Sequence, residues 1–356
     1  MVEKVLISGN EAIGYGAIYA DCTHYFGYPI TPQNELIEFM AREFPKLGRT
    51  FVQAESEFAS INMVCGAAAT GVRAMTSTAS TAFGLMQEGI SGIASMELPC
   101  LIVNVQRGGP GAGSTQHSQM DYLIATRCAN GGYKNIVLAP FSAQEAFELT
   151  QLAFYLADKY RIHVILLSDG LLGQMYESVE LKKVEFPALP EKDWAMRGSA
   201  AHNFKRTFIH NAPGIIGSYY DFMKRSDEKY KRIKEEEGRY ETYEIEDADI
   251  VLVSYGSTAR VTLEAMYRAR GEGIKAGLIR PITLWPFPRK VINKMAESKK
   301  KFLVVEDCMG QMIEDVELAV EGKARIDLVG SMDRNLPTGS GMILSKKVLE
   351  KIRSFN

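Results

Sequence analysis

The chain has 356 residues, more than one domain usually holds, so two α/β-sized units are the starting expectation. Hydrophobic residues make up 46% and charged residues 24%, an ordinary globular balance, and a formal charge of −2 argues against nucleic acid as a partner. No run approaches a membrane span, and the opening MVEKVLISGNEA lacks the basic and apolar regions of a signal peptide, so a cytoplasmic protein without membrane contact is expected.

Short apolar runs alternate with longer amphipathic ones from the start of the chain, the pattern of βα units on a parallel sheet. Strands are predicted at THYFGY (23–28), RTFVQA (49–54), RAMTST (73–78), PCLIVNVQ (99–106), KNIVLAP (134–140) and IHVILLS (162–168). Helices are predicted over 11–22, 33–43, 58–69, 83–94 and 143–159. This gives a first open-sheet domain over 1–185.

Residues 186–247 break the alternation with FPALPEKDW, a turn-rich stretch and a mixed-charge run over 219–246, read as a connector whose solvated helix packs through Tyr230, Ile233 and Tyr240. From 248 to 356 the alternation resumes with DIVLVSYG, a helix over 258–270, KAGLIRPI, a helix after Pro288, KFLVVED, RIDLVG and a C-terminal helix. The buried-looking runs make this a second, smaller α/β domain.

The most informative stretch is 51–71, FVQAESEFASINMVCGAAATG, where a strand passes into a small-residue helix and leaves a carboxylate, Glu57, beside apolar surroundings. Glycine-rich places elsewhere are weaker signals. Gly14-Tyr15-Gly16 lacks the third glycine of a dinucleotide fingerprint and reads as a helix start capped by Asn10. GGPGAG (108–113) lacks the closing Gly-Lys-Ser/Thr of a P-loop and reads as a flexible active-site loop, and Ser168-Asp169-Gly170 reads as a strand-end turn. The five cysteines are scattered with no C-x-x-C pair, so neither a disulfide framework nor a metal site in this chain is expected.

Taken together, GNEAIGYGAIYA, GYPITPQNELIEFM, VQAESEFASINMVCGAAATG, QEGISGIASMELPCLIVNVQRGGPG, EDADIVLVSYGSTAR and LIRPITLWPFP resemble the α subunit of 2-oxoacid:ferredoxin oxidoreductases, thiamine-diphosphate enzymes of anaerobic metabolism. The similarity runs through nearly the whole chain in order. QAESEFASINMV, DGLLGQM and RPITLWPFP are most similar to the branch acting on 3-methyl-2-oxobutanoate, with the 2-oxoglutarate branch and a non-catalytic scaffold subunit as the alternatives.

The resemblance implies a pyrimidine-type thiamine-diphosphate domain followed by a transketolase C-terminal-like domain. It also implies a cofactor shared with a β subunit that carries the diphosphate and Mg2+ motif. Iron–sulfur clusters of the [4Fe-4S] type would lie in partner subunits, among them a γ subunit and a small iron–sulfur subunit, with ferredoxin as acceptor and coenzyme A as co-substrate. The reaction would be oxidative decarboxylation of a 2-oxoacid.

By the same resemblance, Glu57 would hydrogen-bond N1′ of the aminopyrimidine, chosen over Glu55 by register with the glycines that fall on Gly66 and Gly71. Arg107 would bind the substrate carboxylate, for which its planar two-donor fork is suited. Thr31, in YPITP, would face the thiazolium and substrate, with Pro29 and Ile30 beside the cofactor. Read from the residues alone, STAST (77–81), with Ser80, contacts cofactor or partner or else caps the following helix, and His117 is read as a solvated loop residue.

Overall fold

Residues 4–198, 209–214, 217–298, 300–331 and 342–355 are described in the computed structural model. Their strands are β1 (Lys4–Ser8), β2 (His24–Gly27), β3 (Thr50–Gln53), β4 (Ala74–Thr78), β5 (Cys100–Gln106), β6 (Ile136–Leu138), β7 (His163–Asp169), β8 (Tyr176–Glu180), β9 (Tyr240–Tyr243), β10 (Ile250–Val253), β11 (Ala276–Pro281), β12 (Thr283–Trp285), β13 (Lys301–Val305) and β14 (Ile326–Val329).

The larger sheet has the order β12-β6-β7-β5-β4-β2-β3. Its six strands from β2 to β7 are all parallel, and each falls on a predicted apolar run. Every residue of β4, β5, β6 and β7 is buried, because helices cover both faces of such a sheet. The smaller sheet, β14-β13-β10-β11-β9, is parallel except for β9, which runs antiparallel along β11. An antiparallel ribbon of β1 and β8 stands apart from both.

Several local expectations are corrected. Asn10 is not the cap of the first helix, Gly9–Tyr19; Ser8 is, its hydroxyl accepting from the Glu11 N–H (3.1 Å) while the Glu11 carboxylate accepts from the Ser8 N–H (3.0 Å). Such a reciprocal box satisfies two orphan donors at once. Asn10 instead reaches across to the Pro32 carbonyl (2.9 Å) and Glu35 (2.8 Å). The helix predicted over 83–94 is two helices, Thr81–Leu85 and Gln87–Ser95.

The mixed-charge run is not one helix to residue 246. The helix Tyr219–Glu236 buries Ile233 and sets Tyr230 edge-on to Trp285 (6.1 Å), and the chain then extends into β9, where Tyr240 is 44% exposed rather than packed. Residues within 186–247 therefore supply an edge strand of the second sheet. Conversely, β12, from beyond residue 280, pairs antiparallel with β6 on the edge of the first.

The two sheets are also stitched by polar contacts. Arg280 on β11, with a fully buried side chain, donates to both oxygens of Glu145 (2.9 and 2.6 Å), lies 2.8 Å from Glu241 and sits over the Phe141 ring at 4.1 Å. Gln119 donates to the Tyr255 carbonyl (2.9 Å), accepts from the Asp307 N–H (2.8 Å) and donates its own N–H to the Asp307 carbonyl (2.8 Å).

Strand order decides where a ligand fits. From β2 the chain passes to β3 on one side, and then crosses back to β4 on the other. In an open parallel sheet the crevice at the carboxyl ends of the strands beside such a reversal is the binding position. The segments leaving β2, β3, β4 and β5 carry Thr31, Glu57, Ser80 and Arg107 to that edge.

Candidate active site

The loop after β2 is held from three sides. Gln33, fully buried, donates to the Tyr28 carbonyl (3.1 Å) and accepts from the Ser77 hydroxyl (2.6 Å), which also contacts the Tyr25 hydroxyl (2.5 Å). Asn10 holds the Pro32 carbonyl from below. The third support is Arg107, whose Nη1 donates to the Thr31 carbonyl (2.8 Å). Thr31 and Ile30 are left half-buried and Pro29 exposed at the rim.

Glu57 opens the helix Glu57–Ala69 directly after its cap, Ser56, whose hydroxyl accepts from the Ala59 N–H (3.2 Å). Glu57 as a residue is only 7% exposed, and no described residue gives its carboxylate a hydrogen bond or an ion pair. The helix dipole favours a negative charge there but supplies no donor. Glu55, two residues earlier, is exposed. A buried carboxylate with an open acceptor is costly unless something else completes it.

Arg107 leaves the end of β5. Besides the Thr31 carbonyl it reaches the Ala112 carbonyl through Nη2 (3.2 Å), while its Nε is buried without a partner. The glycine loop behind it is folded back on itself, the Ser114 N–H donating to the Gly108 carbonyl (2.8 Å). Gly113 lies at φ +57°, where a side chain would run into the Gly108 carbonyl, so only glycine lets the loop close this tightly around the guanidinium.

Ser80 lies between β4 and Arg107 at φ +30°, a conformation that costs a non-glycine residue about 1–3 kcal/mol. Four contacts hold it there. Its N–H donates to Asn104 Oδ1 (2.9 Å); its hydroxyl accepts from the Arg107 N–H (2.8 Å) and lies 2.5 Å from the Asp121 carboxylate and 3.0 Å from the Arg107 carbonyl. The hydroxyl thus faces inward and makes no side-chain cap for the helix Thr81–Leu85. Burial raises the Asp121 carboxyl above its ordinary value, against the hydrogen bonds of Ser80 and Asn104 and the charge of Arg107.

His117 is not a solvated loop residue. It bridges back to Arg107 through the backbone, and its Nε2 lies 2.8 Å from Asp307 of the second unit. Burial works against its protonation, but the hydrogen bond and charge of Asp307, with Asp169 behind, raise it above its usual value. Asp169 caps the short helix Gly170–Gln174, accepting from the Leu172 N–H (3.0 Å), which agrees with a strand-end turn. Among the described residues no group of three or more His, Cys, Asp or Glu side chains could hold a metal ion.

The structure thus joins Thr31, Ser80 and Arg107 in one contact chain, with Glu57 one strand further along the same edge. Four residues of the site, Gln33, Asn104, Asp121 and Asp307, were not singled out from the sequence. None is marked by a local pattern; Gln33 with Ser77, Asn104 with Asp121 and Asp307 with Gln119 join residues 44, 17 and 188 positions apart.

An open parallel sheet with a buried carboxylate at its carboxyl edge, followed by a smaller α/β unit, agrees with a thiamine-diphosphate-binding protein, the class that the family match shows. Residues 15–244 match the family described as pyruvate flavodoxin/ferredoxin oxidoreductase, thiamine diphosphate-binding, and residues 248–342 match pyruvate:ferredoxin oxidoreductase core domain II. The ketoisovalerate oxidoreductase subunit VorB of Methanothermobacter marburgensis is 45% identical over 355 residues, covering 98% of this chain and 97% of that protein. The 2-oxoglutarate synthase subunit KorA of the same organism is 37% identical, covering 92% and 94%.

Among solved structures, a 2-oxoglutarate:ferredoxin oxidoreductase from Magnetococcus marinus, with 2-oxoglutarate, coenzyme A and succinyl-CoA bound, superposes with a TM-score of 0.86 at 26% identity over 99% of this chain, which spans 65% of that one. A split-gene transketolase shares the fold, with a TM-score of 0.62 at 15% identity over 98% of this chain and 97% of that one. The chain belongs to the 2-oxoacid:ferredoxin oxidoreductase family. Its relatives are named as subunits of larger oxidoreductases. No helix among the described residues is long and apolar enough to cross a membrane.

Proposed function

We propose that this chain is the α subunit of a 2-oxoacid:ferredoxin oxidoreductase that decarboxylates 3-methyl-2-oxobutanoate, yielding the acyl-CoA, carbon dioxide and reduced ferredoxin. The observation that carries the reading is Glu57, a buried carboxylate with an open acceptor at the carboxyl edge of the thiamine-binding domain. The substrate assignment is supported by 45% identity to the ketoisovalerate subunit against 37% to the 2-oxoglutarate subunit.

The donor set fits one end of thiamine diphosphate. Glu57 would share a proton with N1′ of the aminopyrimidine, a ring nitrogen that carries no hydrogen of its own, and so favour the tautomer in which the 4′-nitrogen acts as a base. Thr31, Ile30 and Pro29 would line the thiazolium side of the bound cofactor. Arg107, with a buried unpaired Nε and a guanidinium steadied by two carbonyls, offers the substrate carboxylate a charged donor. When bound, the cofactor supplies the nucleophilic carbon and the electron sink that decarboxylation requires.

The diphosphate and its Mg2+ fall to a partner β subunit, and electrons pass through [4Fe-4S] clusters of partner subunits, including a γ and a small iron–sulfur subunit, to ferredoxin. Residues 1–185 would carry the pyrimidine half of the site, 248–356 the transketolase C-terminal-like domain, and 186–247 the connection between them. Such a subunit works in the cytoplasm.

Co-expression with the partner subunits and measurement of ferredoxin reduction tests the assignment. We expect kcat/KM for 3-methyl-2-oxobutanoate to exceed that for pyruvate, which leaves two methyl groups' worth of an apolar pocket empty, and that for 2-oxoglutarate, which brings a second carboxylate into it, by about tenfold or more. A preference for 2-oxoglutarate would move the chain to that branch. An assembled complex that reduces ferredoxin with none of the three would mark it as a scaffold.

A further inference from the structure

The contacts around Ser80 converge on a buried carboxylate with no role in the chemistry described so far. A hydroxyl has one proton to give. The Ser80 oxygen already accepts the Arg107 N–H (2.8 Å), and of its two possible acceptors the Asp121 carboxylate is nearer, at 2.5 Å against 3.0 Å for the Arg107 carbonyl. The same Asp121 oxygen accepts from the Asn104 amide (3.0 Å), which turns Asn104 Oδ1 toward the Ser80 N–H (2.9 Å). Asp121 itself is fixed by its N–H donating to Gln106 Oε1 (3.1 Å). One carboxylate oxygen therefore sets the orientation of both side groups that keep Ser80 at positive φ, and Ser80 in turn holds the backbone N–H of Arg107.

We propose that Asp121 is a positioning residue: through Ser80 and Asn104 it holds the Arg107 backbone so that the guanidinium is aimed at the carboxylate of the 2-oxoacid. The inference rests on the reading of Arg107 as the substrate's anion partner. Loss of the Asp121 acceptor frees the Ser80 proton to turn to the Arg107 carbonyl and lets the Asn104 amide rotate. The strained turn then relaxes and the arginine moves off its two carbonyl supports. The loop after β2 then loses only the Arg107 hydrogen bond to the Thr31 carbonyl and keeps its Gln33 and Asn10 supports, while Glu57, after β3, has no contact with Asp121.

The test uses the reconstituted complex, with KM for the 2-oxoacid and kcat at saturation measured separately for Asp121→Ala, Asp121→Asn, Ser80→Ala and Arg107→Ala. Asp121→Ala and Ser80→Ala are expected to raise KM roughly tenfold while kcat falls less than about threefold, the pattern of lost substrate binding. Asp121→Asn, whose Oδ1 can accept both hydrogen bonds, should recover most of the KM. Purely structural damage would lower the active fraction, and so kcat, without this split and without the rescue.

A KM for Asp121→Ala within twofold of the native value overturns the inference, as does an asparagine variant no better than alanine. If Asp121→Ala fails to assemble, an unshifted KM for Ser80→Ala overturns it equally. Arg107→Ala separates the two levels: an unchanged KM there removes the reading of Arg107, whereas a raised KM there with native behaviour of both Asp121 variants removes only the role given to Asp121.

Discussion

Replacing Glu57 by glutamine keeps the length and shape of the side chain and removes only its charge and its all-acceptor character. At 7% exposure the group works away from bulk water, where a lost charge is not made good by solvent. Proton handling of this kind contributes about 10²- to 10⁴-fold to rate, so kcat should fall by that factor, roughly 2.7–5.4 kcal/mol of transition-state stabilisation.

Stability should hardly change. The substitution loses about 0.3–1 kcal/mol of favourable interaction with the helix dipole, and relief of burying an unpartnered charge offsets it. In a chain of 356 residues a net change within about 1 kcal/mol moves the thermal midpoint by only about 1–2 °C. The assay is ferredoxin reduction by the reconstituted complex at saturating 2-oxoacid, with Glu55→Gln, an exposed neighbour, as the control expected to stay within about twofold. A Glu57→Gln complex that assembles and turns over within about threefold of native would refute the assignment of Glu57.

Two further outcomes follow from the contacts between the sheets. Arg280→Met strands Glu145 beneath the second sheet, while the half-exposed Glu241 can turn to water, so the cost should lie near the lower end of about 3–5 kcal/mol, a thermal midpoint lowered by about 4 °C; a shift under about 1 °C in thermal denaturation would show that the pair contributes nothing. The His117 and Asp307 pair raises the histidine above its usual 6.5, so its stabilisation is complete below 6.5 and is lost as pH rises through the higher folded value. The gap in thermal midpoint between native and His117→Gln should therefore be widest in mild acid and close toward alkaline pH, and a gap that widens with pH would contradict the pairing.

Periodicity and composition alone determined the parallel core. The runs that became β5, β6 and β7 are mainly apolar on both faces, and burial on both sides of a sheet removes them from water. Motif order carried the resemblance to the family, and register with that family's glycines, on Gly66 and Gly71, separated Glu57 from Glu55, which differ in the structure as buried and exposed.

Tertiary structure alone decided the rest. Only the folded chain brings β12 to the edge of the first sheet, pairs β1 with β8, and turns a mixed-charge run into a helix and then an edge strand, because which edges meet depends on how the whole chain packs. The same holds at the site. Ser80 faces inward because a positive-φ turn needs internal partners, and those partners, Asn104 and Asp121, lie on a neighbouring strand and a distant loop. Hydrogen bonds between segments far apart in the chain leave no periodic trace in it, and they are what aims Arg107.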